Sequence, residues 1–264
     1  MVDLSTYPFL TYIPNQITAY VYSLFVFVLL VFWLIQSIQN HFEPRRLIIL
    51  LCFAHLTIIT ELIIRATSNK TQRNSNTFYM VMTILYTLGQ RSIIIANFTA
   101  LTHYSESKSI LSRSIFLGIS FGVILSDILM APVGFLSFNS DKIHLSFLFR
   151  QISTFIICII TILFYFIWFW TRIYSNMSYE LIILLIISNF NSIIITIFLV
   201  IMSFPRYYMK FNDDEQWFYF FQLLPILLTL STWSLLHPKR SFLVRNQLNI
   251  EIKTEKSKDL FHCT

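Results

Sequence analysis

Among the ionisable side chains inside long apolar runs of the sequence are His55, Glu61, Arg91 and Asp127. A charge surrounded by hydrocarbon is costly, so such residues pair with one another and by default mark ligand pockets, ion routes or proton relays. Arg91 falls near the middle of its run and Asp127 near the middle of the next, which puts an ion pair within reach, with Glu61 as a second partner for the guanidinium. Two kinds of chemistry are open to that set. One is an ion pair locked by packing, without ligand contact; the other is the polar core of a ligand cavity, or a switch between two helix arrangements.

Catalysis is not expected. The six histidines, His41, His55, His103, His144, His237 and His262, show neither a His-x-x-x-His spacing nor a His-Glu pair, which a hydrolytic metal site would need. Cys52, Cys158 and Cys263 are too few and too far apart for a zinc site or a disulfide framework. With four glycines in 264 residues there is no phosphate-cradling loop, and no metal or cofactor is expected.

The elements that hold these residues follow from composition. The chain is 56% hydrophobic and 12% charged, whereas a soluble domain carries roughly 25% charged residues. Apolar stretches at 17–38, 47–64, 78–102, 114–138, 147–170, 181–204 and 217–236 each approach or exceed the roughly 20 residues that a helix needs to cross a bilayer core. Backbone groups in lipid must be satisfied within a segment or in a closed barrel, and the alternation of barrel strands is missing. An all-α bundle of seven transmembrane helices is therefore expected, with 1–264 as a single domain that ends in a basic tail, 237–264. In the tail, Val244, Leu248 and Ile252 recur at helical spacing among Lys and Arg, as in a short amphipathic helix on an anionic lipid surface. The net charge of +6 is scattered over loops and tail, which fits membrane lipids as partners and no nucleic acid.

Lys and Arg set the orientation. With the amino terminus outside, the inner loops and tail hold eleven of them and the outer loops six, an excess that comes from the tail. An integral membrane protein of the plasma membrane with a cytoplasmic carboxy terminus is expected. Asn69, in the sequon Asn69-Lys70-Thr71, then lies outside as a glycosylation candidate, while Asn176-Met177-Ser178 lies inside and would be unused. The outer halves of the third and seventh spans carry Tyr79, Thr83 and Tyr86, and Trp217, Tyr219, Phe220 and Gln222. Interfacial belts and small-molecule pockets both use such residues. Gly118 and Gly122 offer a face for close helix packing, and Pro132 and Pro225 are sites where their helices could kink. A small polytopic transporter or channel is the alternative reading. It would want ionisable groups lined along a route, or paired broken helices, and neither pattern is present.

Seven spans, an outside amino terminus, short loops and a short basic tail resemble the G-protein-coupled seven-helix receptors. More narrowly, the Phe- and Ile-rich composition looks like the nematode serpentine chemoreceptors, in particular the class E group. So do Phe42-Glu43-Pro44-Arg45-Arg46 before the second span, with Arg65 at its far end, and Leu236-His237-Pro238-Lys239-Arg240 after the seventh. The resemblance covers the layout of the whole chain through short motifs. It implies a small external ligand held among the outer helix halves, with His55, Glu61, Arg91 and Asp127 as candidates for the pocket and its polar core. It also implies a heterotrimeric G protein on the inner face, with His103, Tyr104 and Arg113 as candidates for coupling. The sequence departs from those receptors in three places. Thr102-His103-Tyr104 stands where many carry an acidic-Arg-Tyr motif, no Asn-Pro-x-x-Tyr closes the seventh span, and no cysteine is placed for the common tethering disulfide.

Overall fold

The computed structural model describes residues 15–39, 44–68, 72, 75–104, 110–174, 177, 179–211 and 214–236. Seven helices are long and apolar enough to cross a membrane. They are α1 (Gln16–Gln39), α2 (Arg45–Thr67), α3 (Asn76–Tyr104), α4 (Ile110–Leu136), α5 (Ile143–Tyr174), α6 (Tyr179–Met202) and α8 (Glu215–Leu235). No strand occurs among the described residues, and the chain is an all-α integral membrane bundle. The basic tail and both sequon asparagines, Asn69 and Asn176, lie outside the described residues.

Consecutive spans pack against one another, and α8 returns to α1, so the helices form a closed ring. The third helix also touches α5 and α6 and is the central one. Large side chains on the outer faces are left to the lipid: Phe121, Phe135 and Phe166 are 68%, 70% and 69% exposed. In water such a surface would drive aggregation.

Because lipid tails are as apolar as the helix faces, helix association in a membrane depends on close packing and hydrogen bonds. Gly89 supplies close packing, since a Cβ there would stand 2.9 Å from Thr57 Oγ1 on α2. Of the expected Gly118 and Gly122 face, only the second is used. A Cβ on Gly122 would meet Ile160 of α5 at 2.9 Å, whereas Gly118 has nothing within 4 Å. Hydrogen bonds tie the half of the bundle where α3 ends: the Ser188 hydroxyl donates to Asn97 Oδ1 at 2.6 Å and accepts from Trp233 Nε1 at 3.1 Å. Around them, Trp33 and Trp233 meet edge to face at 6.2 Å, and Phe98 and Phe164 at 5.0 Å.

Two features depart from a plain set of seven rods. The connection expected at 205–216 contains a short helix, α7 (Pro205–Phe211). Proline suits a first helical position because its missing N–H would be unbonded there anyway, and Tyr208 anchors the turn by packing on Phe147 at 5.9 Å. Within α8, residues Tyr219–Leu223 form a π turn, with the Leu224 N–H bonded to the Tyr219 carbonyl. Its cause is Pro225, which cannot donate to Phe221 and whose ring would collide with that carbonyl in a regular helix.

Candidate functional site

A cavity of about 200 Å³ opens among the helices at the end where α2, α4 and α6 finish and α3, α5 and α8 begin. One face of α3 forms its floor: Tyr79, Thr83, Tyr86, Thr87, Gln90 and Arg91 are spaced three, four or seven apart, which on an α-helix places them in one stripe. Arg150, Thr154 and Ile157 face them from α5 at the same spacing, and Thr196, Leu199 and Met202 from α6. Glu61 and Arg65 close the α2 side. Trp217, Phe218 and Gln222 enter from α8, with Gln222 inside the π turn that Pro225 imposes.

Three arginines border the cavity, and each is engaged. Arg91 forms an ion pair with Asp127, and its Nη2 donates to Ser126 Oγ and Ser153 Oγ, both at 2.9 Å. Those serines also exchange hydrogen bonds, each hydroxyl donating to the other's backbone carbonyl at 3.0 Å. Their protons are thus spent between α4 and α5, which leaves oxygen lone pairs for the guanidinium of α3. Arg65 lies 3.4 Å from Glu61 one turn back on α2 and 3.8 Å above the Phe218 ring of α8. Arg150 donates to the Tyr79 hydroxyl and sits 4.6 Å over the Tyr208 ring.

Hydroxyls on the wall are mostly turned away from the cavity. Thr87 donates to the Thr83 carbonyl at 3.0 Å, Thr154 to Arg150 at 2.9 Å and Thr196 to Ser192 at 2.6 Å. The Tyr86 hydroxyl differs: it is buried and has no hydrogen-bond partner among the described residues. Beyond α6, an aromatic group roofs this end, with Phe198 stacked on Phe221 at 5.3 Å and Phe211 edge-on to Trp217 at 4.7 Å.

Two of the four sequence candidates, Glu61 and Arg91, line the cavity. They do not pair, since Glu61 turns to Arg65 and Arg91 to Asp127. Asp127 stands behind the wall as the partner of Arg91. His55 does not join them: it is fully buried elsewhere, with Nδ1 2.7 Å from the Leu51 carbonyl. The six-residue step from His55 to Glu61 amounts to about 9 Å of rise and about 240° of rotation, so the two cannot share a cavity wall at one depth. Of the outer aromatic and polar set, Tyr79, Thr83, Tyr86, Trp217 and Gln222 line the cavity. Tyr219 instead packs on Tyr22 at 5.6 Å and bonds Glu215, and Phe220 is 63% exposed. Arg65 and Arg150 were not among the expected site residues. Arg150 sits in an apolar run and carries the same signal that picked out Arg91.

His103 and Tyr104 close α3 and Arg113 lies in the first turn of α4, so all three sit at the end opposite the cavity. No family model, no curated protein and no solved structure matches the chain.

Proposed function

We propose that the chain is a seven-helix chemosensory receptor of the nematode serpentine kind, which binds a small external ligand in this cavity and signals through a heterotrimeric G protein. The observation that carries the reading is the asymmetry of the bundle. One end holds a cavity bordered by six of the seven spans. The other half is filled by Trp33, Phe98, Phe164 and Trp233 and tied by Asn97 and Ser188. The excess of Lys and Arg in the tail favours the cavity end as the outer one. A ligand that binds one helix arrangement better than another shifts the population toward it, and the ends of α3 and α4, with His103, Tyr104 and Arg113, are where a G protein would read that shift. The packed half also argues against a continuous route for a transported solute. The test is a G-protein reporter assay on cells expressing the full chain, screened with small organic molecules. An agonist whose effect is lost in Leu199→Trp, with surface expression retained, supports the receptor. Solute flux in reconstituted vesicles without G-protein activation would favour a transporter or channel.

A further inference from the structure

Charge, size and a buried hydroxyl on the cavity wall, that of Tyr86, together define the chemistry of its ligand. This inference rests on the reading of the cavity as a ligand site. Two of the three arginines each face a carboxylate, Arg91 with Asp127 and Arg65 with Glu61. Arg150 is held by the Tyr79 hydroxyl and the Tyr208 ring. Asp214, the third carboxylate at the cavity, caps α8 by accepting the Gln216 N–H at 3.0 Å. Glu61 and Asp214 border the cavity and Asp127 stands behind it, so the three arginines are matched in number by three carboxylates, two of them as direct pairs. A charged guest would add an unbalanced charge to a site of low dielectric, and an uncharged one would not.

Size narrows the class further. The cavity of about 200 Å³ is slightly larger than the roughly 150 Å³ engineered cavity that holds benzene. One ring with a short substituent fills it. Met82, Met130, Ile157 and Leu199 offer an apolar wall of adaptable shape. The Tyr86 hydroxyl supplies the polar requirement, because those of Thr87, Thr154 and Thr196 donate to their own helices and this buried one has no partner among the described residues. A guest that accepts a hydrogen bond satisfies it.

We infer that the cavity takes an uncharged molecule of about one aromatic ring bearing a hydrogen-bond acceptor such as a ketone, aldehyde or ester, with Tyr86 as its donor. The experiment uses the purified full chain in lipid nanodiscs and follows thermal unfolding with four probes of matched size: acetophenone, ethylbenzene, benzoate and benzylammonium. Acetophenone is expected to stabilise the protein most, and the two ions least. Tyr86→Phe, which keeps the ring and its packing, is expected to weaken acetophenone by roughly tenfold and leave ethylbenzene unchanged. Stabilisation by benzoate or benzylammonium above that by acetophenone overturns the inference, as does an equal response of Tyr86→Phe and the unmodified chain to acetophenone. If a charged probe binds and Leu199→Trp abolishes it, the cavity remains the ligand site and only the ligand class is wrong. If none of the four stabilises the chain, the inferred class is wrong, and the reporter assay with Leu199→Trp decides separately whether the receptor reading stands.

Discussion

Arg91 on α3 is paired with Asp127 on α4, and the same guanidinium reaches Ser153 on α5 at 2.9 Å, so one side chain joins three helices beneath the cavity. Removing either charge leaves the other behind, but not in equal surroundings. The Arg91 side chain is 5% exposed and that of Asp127 is 31% exposed. Breaking a buried pair from one side costs on the order of 3 kcal/mol, while replacing both partners by apolar groups is often close to neutral. The exposed part of Asp127 lies near the middle of a span and meets lipid, not water, so Asp127→Leu and Arg91→Leu are each expected to destabilise, and the double variant to recover at least half of the loss. Thermal unfolding of the four proteins in one detergent, read as a double-mutant cycle, measures this.

Gly89 and Gly118 form a matched pair for testing helix contact. Gly89→Ala drives a Cβ to 2.9 Å from Thr57 Oγ1, while the same change at Gly118 meets nothing within 4 Å. The expected costs are about 1–3 kcal/mol at Gly89 and close to none at Gly118. Adding Thr57→Ala to Gly89→Ala should restore part of the stability, because it removes the obstructing oxygen. Unfolding midpoints of the purified variants check each value.

Pro225 should matter to binding more than to folding. Restoring its N–H in Pro225→Ala allows the π turn at Tyr219–Leu223 to revert to regular helix. Losing one residue's worth of bulge rotates the part of α8 before the turn by about 100°. Trp217 would swing away from the cavity while the part of α8 beyond the turn kept its packing. A loss of ligand response of at least tenfold at near-normal stability and surface expression is expected. An unchanged dose-response curve would show that the π turn does not position the site.

Much of the architecture was legible in the residues. All seven spans followed from run length and charge depletion, and the Arg91–Asp127 pair followed from depth along consecutive runs. What failed did so for identifiable reasons. His55 satisfies the intramembrane-charge criterion but hydrogen-bonds within its own helix, a local solution that residue type alone does not distinguish from a functional one. Of the two partners open to Arg91, Glu61 is taken by Arg65, which falls just past the expected span 47–64, whereas α2 continues to Thr67 and brings Arg65 one turn from Glu61. Gly118 and Gly122 share one side of α4, yet only Gly122 meets a neighbour, because how far along α4 the contact with α5 stays close is decided by tertiary packing. The short helix α7 was hidden by its position between two long spans.

Orientation has its own consequence. An epitope placed after Thr264 is expected to stain only after cells are permeabilised, since the tail carries the inner excess of Lys and Arg. Staining of intact cells would put the cavity on the cytoplasmic side and remove the basis for an external ligand.

The most direct test of an externally open ligand cavity is labelling of Met82→Cys, on the cavity wall, in a chain whose Cys52, Cys158 and Cys263 are replaced by serine. A thiol reagent with a small uncharged reactive end, made membrane-impermeant by a hydrophilic polymer tail, is applied to intact cells and again after permeabilisation. The expected result is labelling of intact cells that an agonist slows. Labelling only after permeabilisation, or none in either condition, would contradict the account.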